Sequence, residues 1–169
     1  MPVIFETEKY IVVGHDQPHH DRNNGGHAKV SPKEKYGDRT EMPMQLYIGL
    51  MQLVLVAGEA ITNVMRSKEI DVVRINYQDN GNWSYFPNVK KDPHIHVHLY
   101  VRSNGEVHPN GDERFKAFPD ALYFPYRGDS PEYYESFQPY SEQDCEDIRK
   151  EIERLLETDK YQGVKESLY

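Results

Sequence analysis

The sequence predicts an α+β fold: an antiparallel sheet with a long helix on one face, a row of histidines on the other, and a C-terminal helical extension. Three observations predict it. Short apolar and β-branched runs recur around Ile11, Val30, Val73 and Val97, separated by polar stretches. One long apolar segment lies between the second and third of these runs. The last run alternates strictly, with His94, His96 and His98 between Ile95, Val97 and Leu99.

The first strand is expected at residues 10–13, Tyr-Ile-Val-Val. Residues 14–24 hold Pro18, Asp21, Asn23 and Asn24, which is loop composition. His15, His19 and His20 fall in this loop and are expected in solvent. Gly25-Gly26 opens a second strand, His27-Ala28-Lys29-Val30, closed by Pro32.

Residues 40–66 form the clearest helix. Thr40 is the expected N-cap, Glu41 suits the positive end of the dipole, and Pro43 is tolerated in a first turn whose N–H groups lack partners. Leu46, Leu50, Leu53 and Leu55, with Met51, Val54 and Ile61, give a face wide enough to cover a sheet. The apolar run inside it holds Gln52 and Glu59 and is shorter than a membrane span needs, so a buried helix is expected and no membrane association.

Residues 72–77 follow as a strand. Asn80-Gly81 is a hairpin signal, and Trp83, Tyr85 and Phe86 are expected to pack in the core. The histidine strand spans residues 94–102. Residues 105–139 are rich in Pro, Gly, Asp and Tyr, with one short strand expected at 121–124. Ser141 caps a last helix over 142–157, whose Ile148, Ile152, Leu155 and Leu156 share a face. A frayed tail is expected after Asp159.

Composition narrows the function classes. The 169 residues carry a formal net charge of -8, which argues against a nucleic-acid partner, because such binding neutralises many phosphates with Lys and Arg. A small phosphate ligand needs only a few local cations. One cysteine, Cys145, forbids an intrachain disulfide. With an N-terminus lacking a basic and apolar leader, this points to the cytoplasm. Phosphate-binding loops of the Gly-x-x-x-x-Gly-Lys and Gly-x-Gly-x-x-Gly types are absent.

The alternation of residues 94–99 puts His94, His96 and His98 on one face of a strand. Histidine exchanges protons near neutral pH and serves as a nucleophile. Metal ligation is the competing use of such a face. Successive same-face residues lie ~6.8 Å apart, so one ion could take two of the three and would need outside ligands. His15, His19, His20 and His108 are the candidates for that role.

The stretch His94-Ile95-His96-Val97-His98-Leu99-Tyr100 resembles the signature of the histidine-triad superfamily. Gly25-Gly26-His27-Ala28-Lys29-Val30-Ser31-Pro32-Lys33 is similar to the Gly-His strand that precedes its central helix, and Arg74-Ile75-Asn76-Tyr77 to its Asn-bearing strand. The resemblance covers about residues 4–102, leaving 103–169 as an extension of a single domain.

The resemblance implies a nucleotide-phosphate hydrolase or nucleotidyl transferase acting at an α-phosphate. His96 matches the nucleophile that becomes transiently nucleotidylated. His98 matches the residue at the phosphate and leaving group, His94 a supporting member of the face, and His27 the residue that orients the nucleophile. Asn76 matches a phosphate contact. The family's Gly-rich turn and Ser are replaced here by Lys90-Lys91-Asp92-Pro93. Lys90, Lys91 and Arg102 are the further substrate-binding candidates. The partner implied is a small nucleotide. No cofactor is expected and no residue is assigned to a metal. The resemblance allows a homodimer. Two alternatives stand beside the enzyme: a non-catalytic nucleotide-binding module, and a metal-dependent enzyme using part of the His94, His96 and His98 face.

Overall fold

The β-branched and aromatic runs pair into one antiparallel sheet in the computed structural model, which describes residues 1–79, 92–104 and 135–169. The strands are β1 (Val3–Glu6), β2 (Tyr10–Gly14), β3 (His27–Pro32), β4 (Val72–Asp79) and β5 (Val97–Ser103). They lie in the order β1-β2-β3-β5-β4. The histidine-bearing β5 therefore sits between β3 and β4, gripped from both sides. The pleat sends Val97, Leu99 and Val101 to one face and His98, Tyr100 and Arg102 to the other. Every residue of β5 is buried, so both faces are covered.

Helix α1 (Met44–Ser67) covers the first face. Its buried residues include Leu50, Leu53, Val54, Ala57, Ile61, Val64 and Met65, the spacing of one helical face. Its 24 residues are long and apolar enough to cross a membrane, but 61% of its most apolar 18-residue stretch is buried in the core formed with the sheet and the C-terminal helix. The helix starts later than residue 40. Pro43 favours an extended residue before it, and Met42 has φ −74° and ψ 138°. Asp38 instead caps a short 3-10 turn, Arg39–Glu41, by accepting from the Thr40 N–H at 2.9 Å.

Helix α2 (Glu142–Leu156) begins at Ser141 as expected, with a capping box closed by Asp144. It packs on α1 and β1. The chain after Asp159 is not frayed. A 3-10 turn, Asp159–Tyr161, leads into α3 (Val164–Leu168), and Tyr161, Val164 and Leu168 are all buried. Three apolar side chains in ten residues were enough to dock this segment on α1. Strand β1 is a further element without a sequence signal. A register shift between Val3 and Phe5 turns the consecutive residues Ile4 and Phe5 inward, which breaks the alternation that marks a strand. The expected hairpin with Trp83, Tyr85 and Phe86, and the expected strand at 121–124, lie outside the described residues.

The C-terminal part is bolted to the segment that precedes β3. The buried Asp144 carboxylate accepts from Arg22 at 2.8 and 3.0 Å and from Lys68 at 2.7 Å. Burial alone would raise this carboxyl, but hydrogen bonds from Arg22, Lys68 and Ser141 outweigh it and hold the group far below the usual carboxylate range. The Tyr140 hydroxyl donates to the Gly25 carbonyl at 2.7 Å. Gly25 and Gly26 have φ of +114° and +88°, and a Cβ at Gly26 would lie 2.3 Å from the Tyr140 ring. Only glycine fits this turn, which delivers His27 to the start of β3.

Candidate functional site

Three elements bring the histidines together. β5 supplies His98. The residues just ahead of it supply His94 and His96, which lie before the strand rather than in it. They are fixed all the same: the Ile95 N–H donates to the Tyr36 carbonyl at 2.9 Å, and the Ile95 side chain is buried. β3 supplies His27, opposite Tyr100, and Lys29, opposite His98.

The hydrogen bonds set the tautomers. His96 Nδ1 lies 2.7 Å from the His94 carbonyl oxygen. A carbonyl can only accept, so Nδ1 carries the proton and Nε2 keeps its lone pair. The His19 backbone N–H donates to His27 Nδ1 at 3.2 Å, so a neutral His27 is protonated on Nε2. That nitrogen lies 2.8 Å from His98 Nδ1 and donates to it. A neutral His98 therefore carries its proton on Nε2. The site pairs a lone-pair donor, His96, with a hydrogen-bond donor, His98, and the two rings meet edge-on with centroids 4.6 Å apart.

Electrostatics keep these rings neutral. Burial pushes His98 down to about 2, with His96 and Lys29 adding to the effect. Burial likewise carries His27 well below its ordinary value, helped by His15 and His98. Burial lowers His96 against the opposing hydrogen bond to His94, and burial followed by His96 lowers His94. Neutral imidazoles at neutral pH are what the tautomer chain requires.

Several expectations change. His27 hydrogen-bonds His98, not the nucleophile candidate; the register that sets His27 against Tyr100 brings its ring to the His98 side. Asn76 sits on β4 opposite Tyr100, while Gln78, two residues on, faces His98 directly. Arg102 is buried on the same face but pairs with Arg74, four residues or ~13 Å along the strand from His98. Lys90 and Lys91 lie outside the described residues. His94 is half-buried, and its Nδ1 has no hydrogen-bond partner among the described residues.

The loop histidines are not in solvent. His15 stacks on His27 at 4.5 Å with rings 16° apart. His19 lies 5.4 Å from His27 and 6.4 Å from Tyr100, and His20 is buried. The His15 N–H bonds the His27 carbonyl at 3.1 Å, extending the β2–β3 ladder by one residue, and the His19 N–H brings the loop back to the His27 ring. Loop composition could not reveal that return. Lys29 and Gln78 are not singled out from the sequence, although each is the i+2 neighbour of a candidate, His27 or Asn76, on its strand. Among the described residues no group of three or more His, Cys, Asp or Glu side chains converges as a metal site. His27 has both ring nitrogens engaged, and His96 and His98 each have Nδ1 engaged.

No family model matches the sequence, and no curated protein matches it. Solved structures do resemble the fold. A hypothetical histidine triad nucleotide-binding protein from Sulfolobus tokodaii superposes with a TM-score of 0.56 at 18% identity, covering 91% of this chain and 85% of its own. A zinc-bound histidine triad family protein from Mycobacterium smegmatis gives 0.55 at 20% identity, with coverages of 90% and 84%. A Hit-like protein from Bartonella henselae, described as involved in cell-cycle regulation, gives 0.54 at 15% identity, with 89% and 85%. At these identities the likeness establishes architecture, and with the antiparallel sheet and helix arrangement it is enough to say that this chain has the histidine-triad fold.

Proposed function

We propose that the protein binds a nucleotide and cleaves it at the α-phosphate through a covalent intermediate on His96, as a hydrolase or nucleotidyl transferase. The observation that carries this reading is the tautomer pair: His96 with a free Nε2 lone pair beside His98 with an Nε2–H. The description of the Sulfolobus tokodaii neighbour as nucleotide-binding supports the choice of ligand.

The chemistry follows from those two atoms. His96 Nε2 attacks phosphorus in line and forms the P–N bond while the P–O bond to the leaving group breaks, its electrons going to the departing oxygen. Positive charge develops on the His96 ring, and the His94 carbonyl, already accepting from Nδ1, stabilises it. The His98 N–H is aimed to donate to a phosphoryl or leaving-group oxygen, where negative charge develops. Asn76 and Gln78 on β4 extend the polar face toward the substrate. Water then attacks phosphorus, breaks the P–N bond and restores His96. A second phosphate in place of water makes the same site a transferase.

The test is turnover of dinucleoside polyphosphates, nucleoside phosphoramidates and nucleotide sugars by wild type and His96→Ala. Turnover of at least one by wild type, lost in the variant, is expected. No turnover of any would remove the enzyme, and nucleotide-dependent thermal stabilisation without turnover would favour a binding module. A cytoplasmic setting and a homodimer belong to the same proposal. The single, buried Cys145 supports the first, the family resemblance supports the second, and light scattering checks the dimer.

A further inference from the structure

We propose that Lys29 is the charged residue that holds the substrate's phosphate, supplying the positive charge that the neutral histidines cannot. The assignment rests on reading the site as a nucleotide-phosphate site.

The register carries it. Lys29 pairs with His98 on β5 and with Val13 on β2, so its stem leaves the sheet on the histidine face between an imidazole and an apolar side chain. It is half-buried, which suits a long stem lying on the sheet with its ammonium reaching outward. Its field reaches the triad: after burial and other causes, Lys29 contributes to lowering His94, His96 and His98 alike.

The site needs such a charge. An α-phosphate arrives as an anion, and three neutral rings offer it dipoles but no net positive charge. Among the described residues, Lys29 is set apart from the other nearby cations by its register, not by the lack of a partner. Arg39 is paired to Asp79 at 2.7 Å, Lys33 to Glu6 at 2.9 Å and Lys35 to Asp92 at 3.5 Å. Arg74 and Arg102 face each other beyond Tyr100. Lys29 alone among these shares a cross-strand pair with a triad histidine. A cation held beside His98 favours ligands whose phosphate keeps its negative charge over the parent nucleoside.

Calorimetric binding of adenosine and guanosine 5′-monophosphates, the two nucleosides and inorganic pyrophosphate tests this on wild type, Lys29→Met, Lys29→Gln and Lys29→Arg. Expected results are at least a tenfold loss of nucleotide affinity in both neutral variants, no change for the nucleosides, and affinity within about threefold of wild type in Lys29→Arg. Thermal melts establish that each variant folds, and the two neutral side chains differ in shape, so a packing fault in one does not decide the result. Equal nucleotide affinity in wild type and the neutral variants would overturn the assignment while leaving the proposed function intact. An equal loss for nucleosides would overturn it as a structural effect. Lys29-dependent nucleotide binding without turnover of any substrate would sustain it and remove the catalytic reading. Failure of wild type to bind every probe would remove both.

Discussion

The two faces of the sheet obey different rules. On the helix face, Val97, Leu99 and Val101 meet Leu50, Leu53, Val54 and Ile61 in a core held by close packing and apolar burial. Many residues share that work, and none needs a particular partner. On the opposite face, three directional contacts link the histidines: His94 carbonyl to His96, His19 N–H to His27, His27 to His98. Directional bonds there fix which nitrogen carries each proton. One face therefore governs whether the chain folds, and the other governs what the folded chain can do.

The sharpest way to break the comparison is His96→Ala. On this account it lowers turnover by roughly 10⁴-fold or more, as loss of a nucleophile does, and moves the melting temperature little, since the His96 ring fills no core. Kinetics and thermal melts on the same preparation check both halves. Leu53→Ala is the converse. It should cost about 3 kcal/mol, roughly 6–12 °C in Tm for a chain of this size, while kcat/KM at 25 °C stays within about twofold.

His27 separates positioning from chemistry. His27→Phe keeps a ring but removes the donor to His98, so His98 loses its tautomer lock. A fall in kcat of about 100-fold is expected. His27→Gln, which retains an N–H donor, should recover part of it. Equal losses in the two variants would mean that His27 acts by packing alone.

The last expected effect is a pH slope, which reads the histidine face through the stability of the whole chain. The folded-state values of His27, His94, His96 and His98 lie below those of an unfolded histidine. Above about pH 6.5 both states are neutral and these groups add no slope. Below it the unfolded chain takes up protons that the folded chain refuses, down to about 2 for His98. Stability therefore falls with acid, by at most about 1.4 kcal/mol per pH unit for each histidine and only between its folded and unfolded values. Urea unfolding between pH 7.5 and 5.5 reads this above the range of the carboxylates, and His27→Phe should flatten it. A profile with no slope in that window would mean the rings are not held neutral.

Much of this was legible in the sequence because the signals are periodic. Alternation marked His94, His96 and His98 as one face, the apolar stripe marked α1, and Ser141 with its helix-facing leucines marked α2. What periodicity does not encode was missed. β1 is hidden by a bulge that turns Ile4 and Phe5 inward together. The start of α1 is displaced by Pro43. His15 joins the histidines by extending the β2–β3 ladder one residue, and His19 by a backbone hydrogen bond to the His27 ring, neither written in composition. Hydrogen-bond partners are long-range facts, so the expected bond from His27 to His96 gives way to one with His98.

The central claim is that His96 Nε2 is the nucleophile. Intact-mass analysis of enzyme quenched during turnover, followed by peptide mapping, tests it directly. The account predicts a nucleotidyl adduct on His96 in wild type, absent from His96→Ala and longer-lived when His98 can no longer donate. Turnover with an adduct elsewhere, or an adduct of the same yield in His96→Ala, would contradict it.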